Sequence, residues 1–93
     1  MTARLMPVAN HENRGRRGPF SNPTPAEIIA AREAARLTQT EAGARVRARL
    51  RSWQHWEATP GTEEHRNMPP GLFELFLIKT GQALPSWMKG DDA

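Results

Sequence analysis

Arg45, Arg47, Arg49 and Arg51 stand at alternate positions between Glu41 and Glu57, with no acidic residue among them. Gln54 and His55 follow within a turn's reach of Arg51. Guanidinium, amide and imidazole groups at this density hydrogen-bond to oxygen and nitrogen acceptors and attract a polyanion, which feels the local cluster rather than the total charge. A guanidinium presents a two-pronged donor that fits either a phosphate or the O6/N7 edge of guanine. A plain solvated surface is the competing reading of such a run. Catalytic readings find less support. Ser52 and His55 are three apart, but no elbow motif or oxyanion donor accompanies them. His55, Glu57, Glu64 and His65 lack the HExxH spacing of a zinc site, and no glycine-rich phosphate loop is present. There is no cysteine, which excludes disulfides and thiolate metal sites and is compatible with a reducing compartment. The expectation is a binding protein, not an enzyme, with no cofactor and no metal.

The elements that must position these side chains announce themselves by their caps. Thr24 and Glu27, and again Thr38 and Glu41, have the three-residue spacing of a reciprocal capping box, and Pro25 takes the favoured first helical position. A first helix is predicted over Pro25 to Arg36, with Ile28, Ile29, Ala31 and Ala35 inward, and a second over Gln39 to Val46. A third follows over Arg49 to Ala58. The polar run TPGTEEHRN reads as a loop. A fourth helix begins near Met68 or Pro69 and stops at Gly81, with Lys79 in its last turn where a cation suits the dipole.

At about 100° per residue, Trp53, Trp56 and Glu57 share one side of the third helix, while Arg51 and His55 face away together and Gln54 lies on the flank. The two indoles therefore fit a core better than a stacking platform for single strands. Arg49 and Leu50 sit at the helix start.

The stretch Leu37 to Glu57, LTQTEAGARVRARLRSWQHWE, resembles without a gap the helix-turn-helix of the Cro/C1-type, or XRE-like, family of phage, plasmid and bacterial repressors. Leu37, Thr38, Gln39, Glu41, Trp56 and Glu57 match the family pattern, and Ser52 stands where the family has Thr or Ser. Four positions depart from it: Gly43 replaces the small Ala where the helices touch, Arg47 the turn Gly, Ala48 the buried Val, and Arg49 the capping Ser. The resemblance implies an all-α fold, a compact bundle of four to five helices of the lambda-repressor-like type. It implies that the start of the third helix enters the major groove of a double-stranded operator. Base readout then falls to Arg49, Leu50, Arg51, Gln54 and His55, with His55 donating to a base edge. Phosphate contacts fall to Gln39, Arg45, Arg47 and Ser52. Arg32 and Glu57 match family positions that form a partly buried ion pair. Arg47, where the family turn has Gly, would cost roughly 1 kcal/mol if its φ is positive.

Residues 1–23, rich in Asn, Gly, Pro and Arg, read as a flexible basic arm, 24–81 as the DNA-binding domain and 82–93 as a tail with Leu84, Trp87 and Met88 as anchors. Residues 1–24 carry a net charge of +3, the whole formal charge of the chain. Arg14, Arg16 and Arg17 suit a minor-groove hook, and an unengaged polar terminus is the other reading. No apolar run is long enough for a signal peptide core or a membrane span, so the expected place is the bacterial cytoplasm. Six apolar residues fall between Leu72 and Ile78, more than one face of a small core absorbs. Phe73, Phe76 and Leu77 are therefore expected at a homodimer interface. The alternative function is a protein-interaction module, such as an antitoxin or accessory regulator, with DNA binding secondary.

Overall fold

A computed structural model describes residues 17–89, and these are all-helical, with no strand among them. In chain order they form α1 (Pro25–Ala34), α2 (Gln39–Arg45), α3 (Leu50–Glu57), α4 (Pro70–Lys79) and a short 3-10 turn (Ser86–Met88). None of these helices is long and apolar enough to cross a membrane.

Both capping boxes form. The Thr24 hydroxyl accepts from the Glu27 N–H at 3.1 Å while the Glu27 carboxylate accepts from the Thr24 N–H at 2.8 Å. Thr38 and Glu41 repeat the exchange at 3.1 and 2.9 Å. Each box satisfies amide groups that the first turn leaves without an intrahelical partner.

Three of the four helices stop by one device. After α1, the Arg36 N–H donates to the Glu33 carbonyl and the Leu37 N–H to the Arg32 carbonyl. Arg47 and Ala48 close α2 on Ala44 and Gly43 in the same way, and Gly81 and Gln82 close α4 on Ile78 and Leu77. This is the Schellman pattern, which needs a left-handed residue just past the helix. Gly81 takes that position at φ 74°, but Arg36 and Arg47 take it at 60° and 62°. Arginine there costs roughly 1 kcal/mol, so tertiary packing holds these two ends closed. The first helix therefore ends two residues before the predicted Arg36.

Trp53 is wholly buried at the centre of the core, its ring centroid 5.1 Å from Phe76 and 5.5 Å from Trp56. Ile28 from α1 and Met68 from the loop close around it. Burial of each such side chain contributes about 1.5–3 kcal/mol.

Two expectations need correction. Phe73, Phe76 and Leu77 are 3%, 0% and 4% exposed within a single chain, so they belong to its core and not to a dimer interface. Six apolar residues in one short helix are absorbed because α2 packs on it, Trp53 of α3 meets Phe76, and Leu84, Trp87 and Met88 of the C-terminal segment join the same core, leaving Leu72 and Leu75 half-buried and only Ile78 largely exposed. The second correction concerns the domain's ends. Residues 17–24 lie on the domain, with Pro23 buried and the Asn22 amide donating to the Met68 carbonyl at 2.9 Å. Residues 82–89 fold back as well. The Gln82 amide donates to the Ala31 carbonyl at 3.0 Å, and Met88 is buried.

Candidate nucleic-acid interface

α2 and α3 meet through the connection 46–49, and the tightness of that connection sets the pitch of α3. The Ala48 N–H donates to the Gly43 carbonyl at 2.8 Å, drawing the turn against the body of α2. A Cβ on Gly43 would stand 2.7 Å from the Ala48 carbonyl oxygen, nearer than real Cβ contacts allow. Gly43 is thus a place of close backbone approach, and the left-handed Arg47 carries the chain around the corner with its side chain exposed.

α3 is divided cleanly along its length. Trp53 and Trp56 face the core, while Arg49, Leu50, Arg51 and Gln54 are exposed and Ser52 and His55 are half-buried. Arg49 precedes the first helical residue in an extended conformation and makes no side-chain cap, because a guanidinium has no acceptor to offer. Arg45 and Arg47 are exposed beside it. The structure thus gathers Arg45, Arg47, Arg49, Leu50, Arg51 and Gln54 on the exposed side of α2, the turn and α3.

Behind this face sits a polar hub. The Glu57 side chain is only 7% exposed, and four hydrogen bonds converge on it. Arg32 donates through Nε at 2.7 Å and Nη2 at 3.2 Å, Gln39 through Nε2 at 2.8 Å, and the Trp53 indole at 2.6 Å. Burial alone would raise the Glu57 pKa, but hydrogen bonds from Arg32, Trp53 and Gln39, with the charge of Arg32, outweigh it and hold the carboxyl below its ordinary value. The hub connects α1, α2 and α3, so it fixes the orientation of the exposed face. Gln39, expected at a phosphate, is half-buried and its amide N–H is engaged by Glu57.

His55 is placed differently from the expected donor. Its Nδ1 lies 2.6 Å from the Glu64 carbonyl oxygen, so one ring nitrogen is engaged by the loop after α3. The Arg66 N–H donates back to the His55 carbonyl at 3.0 Å. Arg17 also departs from its expected place on an arm. It bonds Glu27 through two nitrogens at 2.5 and 3.0 Å, donates to the Asn22 carbonyl at 2.8 Å, and lies 3.8 Å over the centre of the Trp87 ring. Burial alone would raise the Glu27 pKa, but the hydrogen bonds from Arg17 and Thr24, with the charge of Arg17, hold it below its ordinary value. Arg17 therefore closes the fold, tying the segment before α1 to the C-terminal turn. Arg14 and Arg16 lie outside the described residues.

One residue of this region escaped the sequence reading. Lys79, assigned to the dipole of its own helix, reaches the Arg45 carbonyl at 2.9 Å and places a further cation at the end of α2. Only the tertiary meeting of α2 and α4 creates this contact, so no local spacing signals it. No protein-family model matches the chain, and no curated protein matches it.

Proposed function

We propose that the protein is a sequence-specific binder of double-stranded DNA that acts as a transcriptional regulator, a repressor occluding a promoter. The observation that carries this reading is the two-sided α3: Arg49, Leu50, Arg51 and Gln54 stand exposed on a helix whose other side is anchored by Trp53 and Trp56. A rigid helix with a basic exposed row, preceded by a tight turn and a capped partner helix, fits the major groove. Arg51 reads guanine through two hydrogen bonds. Arg45, Arg47 and Ser52 meet phosphates and set the register. The resemblance of Leu37 to Glu57 to the Cro/C1-type motif supports the same reading.

In this reading the protein works in the bacterial cytoplasm as a homodimer, each α3 in a major groove about 34 Å from the other. The contact between copies does not use Phe73, Phe76 or Leu77, which the core occupies. Selection from a random-sequence duplex library with the full chain tests the proposal. Enrichment of one sequence, with paired half-sites about one helical turn apart, is the expected outcome. Recovery of unenriched duplexes, or of none, defeats it.

A second reading, a module whose main partner is another protein, is favoured by one feature. An open groove of about 400 Å³ runs between α1 and α4; Ala30, Ala34 and Ala83 are its exposed lining, and the core residues Phe73 and Leu77 lie beneath them. Retention of wild-type DNA affinity with Ala30 and Ala34 both changed to Glu, together with loss of a co-purifying protein, would favour that reading.

A further inference from the structure

The His55 ring has one nitrogen spoken for. Its Nδ1 faces the Glu64 carbonyl oxygen at 2.6 Å. A carbonyl only accepts, so Nδ1 is the donor and carries the proton. In a neutral imidazole the other nitrogen is then an acceptor with a bare lone pair. By covalent geometry Nε2 is farther from Cβ than Nδ1, the side chain is 26% exposed, and no partner for Nε2 occurs among the described residues.

The loop that fixes this tautomer is itself tied down. The Arg66 N–H donates to the His55 carbonyl at 3.0 Å, and the His65 ring lies 3.1 Å from the Ala58 carbonyl. The two residues directly after Glu64 are thus attached to the end of α3, which holds its carbonyl near the ring. The Glu64 carboxylate, 73% exposed, lies 3.9 Å from the same Nδ1. It places negative charge at this rim and disfavours a phosphate there.

Resting on the DNA-binding reading above, we propose that His55 reads its base as an acceptor, taking a hydrogen bond on Nε2 from an exocyclic amino group, N4 of cytosine or N6 of adenine. Guanine presents only O6 and N7 acceptors in the major groove, and these would meet the ring lone pair to lone pair. Arg51 lies one turn earlier on the same side of α3 and has only donors to give. The two neighbours therefore carry opposite codes: an acceptor edge under Arg51, an amino group under His55.

The test uses the full chain and the duplex enriched from a random-sequence library. In ¹⁵N-edited spectra at pH 8, the His55 proton is expected on Nδ1 and not on Nε2, in the free protein and in the complex. Next, at the base pair whose preference His55→Ala abolishes, the amino group is deleted, with purine replacing adenine or pyrimidin-2-one replacing cytosine. The wild-type protein should lose about three- to tenfold more affinity than His55→Ala does. A proton on Nε2 in the complex, equal losses in the two proteins, or no base pair at which His55→Ala changes preference each overturn the inference while the DNA reading stands. Failure to enrich any duplex removes both. If His55→Ala does not fold, the spectra of the wild-type complex decide alone.

Discussion

The indole N–H of Trp53 donates to the Glu57 carboxylate one turn along α3, at 2.6 Å. The largest side chain of the core and the acid at the end of α3 therefore form a single unit. A buried indole needs an acceptor for its N–H, and a buried carboxylate needs donors for its oxygens. Each supplies what the other lacks. Arg32 and Gln39 complete the set from α1 and α2, so the rotation of α3 about its axis is determined by bonds on its hidden side. The backbone that carries Arg49 and Arg51 is thereby fixed without any partner for their side chains.

Glu57→Gln should cost about 3 kcal/mol or more, because Arg32 would be left mostly buried beside a neutral amide. The acid limb of stability follows from the same bonds. The folded Glu57 pKa lies below the ordinary 4.5, so its contribution is whole above that value and is lost as pH falls through the lower folded value. Urea unfolding at pH 7, 5 and 3 should show a fall in the wild-type midpoint between the last two. Glu57→Gln should flatten that fall, with the remainder due to Glu27, whose pKa is also depressed. Parallel pH profiles for the two proteins would contradict the role assigned to the hub.

Two helical glycines should respond to alanine with opposite signs. A methyl on Gly71 in α4 meets nothing within 4 Å, so Gly71→Ala should gain about 0.5–1 kcal/mol from helix propensity. On Gly43 the same methyl meets the Ala48 carbonyl oxygen at 2.7 Å, and that atom belongs to the backbone of the turn. Overpacking of about 1–3 kcal/mol should outweigh the propensity gain and make Gly43→Ala destabilising. Chemical denaturation of both variants measures the signs. A stabilised Gly43→Ala protein would mean that the turn is looser than described.

The starts of α1 and α2 were legible because a capping box places both its partners three residues apart in the chain. The ends of α2 and α3 fall within one residue of the expected Val46 and Ala58, but only Gly81 marks a stop by its residue type. Nothing local predicts that Arg36 and Arg47 adopt left-handed backbone against their own preference, and only the family pattern drew attention to Arg47. The apolar surplus of α4 was visible, but its destination was misjudged. Its cover includes residues 82–89, which have no periodicity to announce it. At the site, exposure of Arg51 and burial of Trp53 and Trp56 follow from helical phase alone. The state of His55 does not, since it depends on a loop carbonyl nine residues further on.

Arg17 supplies a prediction that separates folding from binding. Its guanidinium is committed to Glu27, Asn22 and Trp87, all at least partly exposed, so Arg17→Ala should cost only about 1–2 kcal/mol of stability. A double-mutant cycle with Trp87→Leu should return a coupling of about 0.5–1 kcal/mol. The salt dependence of DNA affinity should not change. A log-log slope shallower by about 0.9 would instead place Arg17 on a phosphate.

Arg47 and Arg51 sit four residues apart but should fail in different ways. Arg47 holds a left-handed backbone at φ 62° and is exposed. Arg47→Gly relieves that strain, and after the added freedom of the unfolded chain is subtracted it should gain no more than about 0.5 kcal/mol in stability. It should also weaken binding to all duplexes alike, with a salt slope shallower by about 0.9, as loss of one phosphate neutralisation requires. Arg51 is exposed on a regular helix, so Arg51→Ala should leave stability nearly unchanged. It should cost about 1–3 kcal/mol on the preferred sequence and relax the preference at one base pair. Competition of each variant between the enriched duplex and random duplex, at several salt concentrations, distinguishes the two patterns. If Arg51→Ala weakens both duplexes equally, the residue grips the backbone and does not read the base, and the register proposed for α3 in the groove is wrong.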